Sequence, residues 1–365
     1  MTHVITPQPS LPAAAAPKAA LTMRPYGPEA VPALLELTRT ALGDSGAVRK
    51  TEAFWHWKHT ANPFGPSYGL YAWDEAEQRA AALRVLLRWQ FNRPGGPTRR
   101  ALRAVDTATH PVYRRQGLFA SLTQEALLQL TAGDDDFIFN TPNSRSLPGY
   151  LQWGWQVVAR WPLFIKLLRP GAVVRQLIRR RPAPAAAPPA EPGFGPEILT
   201  WATFMERHGP ALPALLSGWE RQRRWVGLRT PRTPAYLQWR YGQHPHIRYG
   251  LYPLRTEGRL TGLAVLRPNV RYGLQEVVLT ELFLAAPDLN LGRRLMAHLA
   301  QQLTADYVIA HFAAQTFERR LLARSGFWRV PRRGMTFTAR PLTSGLDQLY
   351  QPVAWDLSLG DLELF

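Results

Sequence analysis

Cysteine is missing from all 365 residues, so disulfides, thiolate metal sites and cysteine nucleophiles are excluded. Any chemistry rests on oxygen and nitrogen groups. Carboxylates are few: 44 Lys and Arg face 26 Asp and Glu, a formal net charge of +18. That balance suits phosphate-bearing partners, nucleic acid or an anionic surface without choosing among them, and the cations are spread along the chain rather than gathered in one tail. Arg175, Arg179, Arg180 and Arg181 form the densest cluster. No stretch reaches the roughly 20 uninterrupted apolar residues of a membrane span. The Ala/Pro-rich start has no charged segment followed by a leucine-rich core, so no secretory leader is expected and the cytoplasm is the expected compartment. The histidines, among them His56, His59, His208, His298 and His311, show no metal-ligand spacing beyond an isolated His244-x-His246, and no metal is expected.

Proline, by contrast, is abundant and localised. Residues 1–20 are Pro/Ala-rich, and a second such run, RPAPAAAPPAEPGFGPE from Arg181 to Glu197, interrupts the chain at its middle. The chain exceeds the roughly 100–200 residues of one ordinary domain, and 46% apolar content suffices for two cores. A pattern recurs on either side of the run. When Trp57 is aligned with Trp239, Thr51, Ala53 and Pro63 meet Thr233, Ala235 and Pro245, while Phe54 meets Tyr236 and Lys58 meets Arg240. After a one-residue gap Tyr68-Gly-Leu-Tyr71 meets Tyr249-Gly-Leu-Tyr252. An ordered series of matches of this kind points to an internal duplication.

The first half reads as alternating elements. Met23–Tyr26 opens as a strand, and Glu29–Leu42 carries apolar residues at helical spacing. A second helix ends before Asn62-Pro63. Strands are expected over Gly69–Trp73, Ala81–Phe91 and Arg100–Thr107, with a turn at Pro94-Gly95-Gly96-Pro97. A helix over Leu118–Leu130, a strand over Asp136–Asn140, a short helix over Ser144–Gln152 and a strand from Trp155 complete a mixed α/β arrangement.

Chemistry concentrates in TATHPVYRRQGLFASL, residues 107–122, where a strand hands over to a helix. A helix N-terminus offers unpaired N–H groups and partial positive charge, glycine lets the backbone approach a ligand, and Arg114 and Arg115 suit forked contact with phosphate oxygens. The segment resembles motif A of the GCN5-related N-acetyltransferases, whose core is Gln/Arg-x-x-Gly-x-Gly/Ala. Here it is Arg114-x-x-Gly117-x-Phe119, with Phe at the last, normally small position. A second family motif follows in order in NSRSLPGYLQWGW, as Asn143, Ser146, Tyr150, Gly154 and Trp155. The likeness covers residues 22–168, and a degraded form covers 197–342.

The resemblance implies two tandem acyltransferase-like domains of mixed α/β fold: a tail over 1–20, an active domain over 21–170, a linker over 171–196, a degenerate domain over 197–342 and a C-terminal tail over 343–365. It implies acetyl-CoA as cosubstrate. Thr107, Ala108 and Thr109 would pair with its pantetheine arm; Arg114, Arg115, Gln116, Gly117, Leu118 and Phe119 would hold its pyrophosphate. Asn143 would lie near the pantetheine, and Tyr150 would act as general acid toward the departing thiolate. The acceptor would be an amine. The base stays open among Asp106, whose side chain strand alternation turns to the face opposite Thr107, the terminal carboxylate of Phe365, and a water chain. In the second half Ala286–Arg294 occupies the motif A position without its spacing, Gln315 replaces the Asn and Leu322 the Tyr. Two other readings remain: an aminoacyl transferase drawing on charged tRNA, and a non-enzymatic polyanion-binding protein, with nucleic acid not the favoured partner.

Overall fold

The computed structural model describes residues 21–43, 48–179, 193–223 and 227–362. The expected N-terminal tail, the proline-dense stretch 180–192 and Phe365 lie outside the described residues. The first half forms β1 (Leu21–Pro25), α1 (Val31–Leu42), α2 (Glu52–His59), β2 (Tyr68–Asp74), β3 (Arg79–Phe91), β4 (Arg99–Thr109), α3 (Leu118–Thr131), β5 (Phe137–Asn140), α4 (Leu147–Gln152) and β6 (Gln156–Leu167). After α5 (Pro170–Arg179) come α6 (Trp201–His208), α7 (Leu212–Arg221), α8 (Pro234–Leu237), β7 (Gly250–Thr256), β8 (Arg259–Arg271) and β9 (Leu274–Leu284). The chain continues through α9 (Leu289–Gln301), β10 (Tyr307–Ala310), α10 (Phe317–Arg324), β11 (Trp328–Pro341) and α11 (Leu359–Leu362).

These eleven strands join one mixed sheet in the order β1-β2-β3-β4-β5-β11-β6-β10-β9-β8-β7. The pairs β4–β5 and β9–β10 run parallel, one in each half. The two halves exchange their last strands. β11 completes the first half by pairing with β5, from Asn140↔Thr338 to Phe137↔Pro341, while β6 completes the second by pairing with β10, from Phe164↔Ala310 to Leu167↔Tyr307. Between them β6 and β11 pair antiparallel, with Trp161 opposite Met335 and Ala159 opposite Phe337.

The duplicated segments face each other across this seam. Thr51 and Thr233 each cap a helix, accepting from Phe54 N and Tyr236 N. Trp57 Nε1 donates to the Trp239 carbonyl and Trp239 Nε1 to the Trp57 carbonyl, both at 2.7 Å, with the rings stacked 5.2 Å apart. Each residue contacts its own counterpart reciprocally, as across a two-fold axis. Around them lies an aromatic core drawn from both halves, including Trp89, Phe91, Phe137, Phe139, Tyr236, Phe337 and Trp355. Further apolar layers sit under α3 and α4 (Leu102, Leu122, Leu127, Ile138) and under α9 and α10 (Leu279, Leu295, Leu299, Leu321). β5, the sequence FIFN, is buried at every position, as expected of a central strand covered on both faces.

The stretch after Leu342 is not a tail over its described length. Leu349, Trp355, Leu359 and Leu362 are buried, so its apolar residues return the chain into the core. Within the expected linker α5 is helical, and Gly193–Phe194 pairs with Leu303–Thr304.

Candidate functional site

β4 and β5 pair only from Ala101↔Phe137 to Arg103↔Phe139. β5 ends at Asn140 while β4 runs on to Thr109, so among the described residues no strand covers this edge of β4 beyond Arg103. A bulge sharpens the divergence: the β3–β4 register shifts between Leu83 and Val85, opposite Asp106, whose φ is +30°. The result is a wedge-shaped slot with unpaired backbone on the Ala104–Thr109 side. At its apex the buried Arg103 guanidinium donates to the carbonyls of Asp361 and Leu362 and to Thr141 Oγ1. Burial, with Arg240 nearby, pulls Arg103 down to about 9.

At the mouth of the slot the chain turns through Pro111–Tyr113, anchored by the Tyr113 hydroxyl on Asp74 at 2.5 Å, and enters α3. Arg115 (φ +64°) and Gly117 (φ +79°) are left-handed, and a Cβ on Gly117 would meet only open space. No side chain caps α3, so its first amides point outward between the exposed Arg114, Arg115 and Gln116. Phe119, the departure from the motif, packs edge-on against Tyr150 at 6.0 Å and against the backbone of Gly149, where a Cβ would come within 3.3 Å of its ring. The space left by one glycine is used by the ring of the other segment, while the Phe119 backbone keeps its place in the turn.

Tyr150 is buried between Phe119 and Trp155, and among the described residues its hydroxyl has no hydrogen-bond partner. Asn143 spends its side-chain oxygen on the amides of Arg145 and Ser146, which fixes the entry to α4. Thr107 Oγ1 donates to the Val105 carbonyl across the bulge and accepts from Arg84 Nη1, both at 3.3 Å. Arg84 was not singled out in the sequence; its signal is a lone cation inside the buried run Ala80–Leu87.

On the opposite face Asp106 pairs with Lys58 Nζ at 2.6 Å and His59 Nε2 at 2.9 Å, both on α2, and His59 Nδ1 meets Ser67 Oγ at 2.9 Å. Burial alone would raise the Asp106 carboxyl; Lys58 and His59 outweigh it and hold it well below the usual carboxylate range. Burial likewise lowers His59, against the pull of Asp106. Lys58 and His59 also escaped the sequence reading, since only the fold brings α2 beneath the bulge.

The counterpart in the second half is built shut. α9 is capped by Asp288, whose carboxylate accepts from Asn290 N and Leu291 N, filling with negative charge the place that α3 leaves open. The β9–β10 divergence holds the chain's own C-terminal segment: Phe312 bridges to Ser358, and Gly360 lies so close to Glu281 and the Tyr241 hydroxyl that a Cβ would come within 2.4 Å. Arg232 ties this plug to the sheet through Glu281 and Asp361, both at 2.8 Å. Leu322 is fully buried, and Gln315 Nε2 reaches the Val353 and Trp355 carbonyls.

Residues 22–158 match the model of the acetyltransferase (GNAT) domain. No curated protein matches the sequence significantly. Solved structures share the fold over most of the chain. A probable N-acyltransferase from Enterococcus faecalis is 15% identical, with TM-score 0.58, covering 88% of this chain and 73% of that one. A GCN5-related N-acetyltransferase from Anabaena variabilis is 13% identical, with TM-score 0.56 and the same coverage. Saccharomyces cerevisiae N-myristoyltransferase with bound myristoyl-CoA is 11% identical, with TM-score 0.54, covering 89% and 79%. Both motifs, the slot and the match to the acetyltransferase (GNAT) domain fall in the first half, residues 22–158, and the likeness to the solved structures extends the fold over most of the chain.

Proposed function

We propose that the first half transfers an acyl group from acyl-CoA, with acetyl as the group carried, to a primary amine by direct attack in a ternary complex. The observation that carries this reading is the contrast between the two halves: α3 is uncapped at an open slot, whereas α9 is capped by Asp288 at a slot the chain itself fills. The amides after Gly117, with Arg114 and Arg115, would hold the pyrophosphate, and the free edge of β4 at Thr107–Thr109 would hold the pantetheine. Tyr150, its hydroxyl uncommitted, would supply the proton to the leaving sulfur. Asp106, held ionised by Lys58 and His59, is a weak proton acceptor, so the amine is taken as its free base. The second half, on this reading, completes the sheet through β6 and β11 without taking cofactor.

The test is thermal unfolding with and without acetyl-CoA, beside free CoA and a tRNA mixture, at low and high salt. Acetyl-CoA at 100 times its dissociation constant stabilises the folded state by about 2.7 kcal/mol. A shift that persists in salt supports the reading and opens an amine screen. Stabilisation by tRNA alone, fading with salt, replaces it with a polyanion-binding or aminoacyl-transfer role.

A further inference from the structure

Arg84 stands in the middle of β3 between Leu83 and Val85 and is 1% exposed. Its Nη1 reaches Thr107, but its Nε and Nη2 are buried with no hydrogen-bond partner among the described residues. No carboxylate pairs with it there. Three other buried cations are paired with carboxylates, Arg232 with Glu281 and Asp361, Arg223 with Glu318 and Asp356, and Lys58 with Asp106, while the equally buried Arg103 is held by the Asp361 and Leu362 carbonyls and Thr141 Oγ1. Arg84 is instead enclosed by three ring faces, with its guanidinium carbon 5.2 Å from the centre of Phe119, 5.4 Å from Tyr150 and 5.9 Å from Trp155. A desolvated guanidinium without a counterion is costly, and its field in so apolar a setting is weakly screened.

The other groups around it do not cancel that field. β4 offers the Thr107 hydroxyl, α3 the Phe119 ring and α4 the Tyr150 phenol; beyond Trp155, Arg340 on β11 adds a second cation 5.7 Å from that ring. Asp106, Lys58 and His59 lie across β4 on the other face.

We propose that Arg84 is a charge-positioning residue for the acyl donor, acting on the sulfur side of the slot by stabilising the thiolate released when the thioester breaks. The inference rests on the acyl-CoA reading given above. In the step, the amine nitrogen bonds to the acyl carbon and the carbon–sulfur bond breaks with its electron pair going to sulfur. The surplus proton of the amine ends on that sulfur by way of solvent or Tyr150. Arg84 gives up no proton; an unpaired positive charge beside Tyr150 favours the anion, and a carboxylate partner would abolish the effect. Its bond to Thr107, which in turn reaches Val105 across the bulge, fixes that charge relative to the slot.

The experiment is a pH titration of the thiol of bound CoA, read by thiolate ultraviolet absorbance, with the affinity of desulfo-CoA as a reference that contains no sulfur. In the wild type the bound thiol titrates at least one pH unit below that of free CoA measured alongside. Arg84→Met removes that shift, Arg84→Lys retains part of it, and all three proteins bind desulfo-CoA within twofold of one another. An unshifted thiol in the wild type, or an equal shift in Arg84→Met, overturns the role of Arg84 and leaves the acyl-CoA reading standing. The unshifted outcome is read on the wild type alone and so overturns the role even if neither variant folds. Failure of the wild type to bind either CoA or desulfo-CoA removes the acyl-CoA reading and this inference with it.

Discussion

Gly117 separates backbone from charge effects at the α3 entrance. Its φ of +79° costs an L-residue about 1–2 kcal/mol, yet a Cβ there meets nothing within 4 Å. Gly117→Ala therefore loosens the turn without occluding it. Gly117→Glu carries the same strain plus a carboxylate beside the first amides of α3. Two phosphate charges about 4 Å from that carboxylate, in water-like surroundings, cost about 1 kcal/mol each. The sum, about 2 kcal/mol, is roughly 30-fold in affinity at low salt, and it shrinks as salt shortens the screening length. Calorimetric titration with CoA at two ionic strengths measures both terms. Equal affinity for the Ala and Glu variants at low salt would mean that no phosphate sits at the α3 entrance.

Tyr150→Phe should lower turnover at least tenfold while CoA affinity stays within twofold, because the ring packing on Phe119 and Trp155 survives and only the hydroxyl is lost. Asp288→Ala should cost about 1 kcal/mol of stability by uncapping α9 and leave CoA affinity unchanged, as a calorimetric melt and titration would report. Trp57→Ala and Trp239→Ala should each destabilise by about 3–5 kcal/mol, and the double variant by less than the sum, since each breaks the same reciprocal pair; denaturant unfolding gives all three values. Burial holds His244 at about 2 and His311 at about 4, so below pH 6.5 the unfolded chain binds protons that the folded chain refuses. Stability should fall from pH 6.5 downward, and His311→Gln should flatten the fall between pH 6.5 and 4 in urea midpoints measured across that range.

Much of the site was legible because it is local. Gly117, Tyr150 and Asn143 sit within segments whose turn and helix signals are sequential, and the repeat announced Trp57 and Trp239 as equivalents. Their reciprocal bonding was not legible, nor was the strand exchange, because nothing in the composition of β6 or β11 says which β-edge each will choose. Arg84 and the pairing of Asp106, itself a candidate in the sequence, with Lys58 and His59 were missed for the same reason: their meaning depends on what lies across the sheet. The C-terminal stretch misled by its short elements, whose apolar residues show no sustained period of either kind.

The exchange of β6 and β11 also bears on how the molecule is made. A ribosome that has released residues up to Leu167 has emitted both motifs of the first half, but β5 still lacks its neighbour β11, which is roughly 160 residues away in synthesis. Until β11 emerges, β5, apolar at three of its four positions, presents an unpaired edge, and until β10 emerges β6 has no strand of the second half to dock on. The sheet of the first half closes only near the end of translation, so a premature stop anywhere before Trp328 leaves a sticky fragment rather than a smaller folded domain, and clipping the proline-dense stretch of a finished chain leaves two pieces interlocked by their strands.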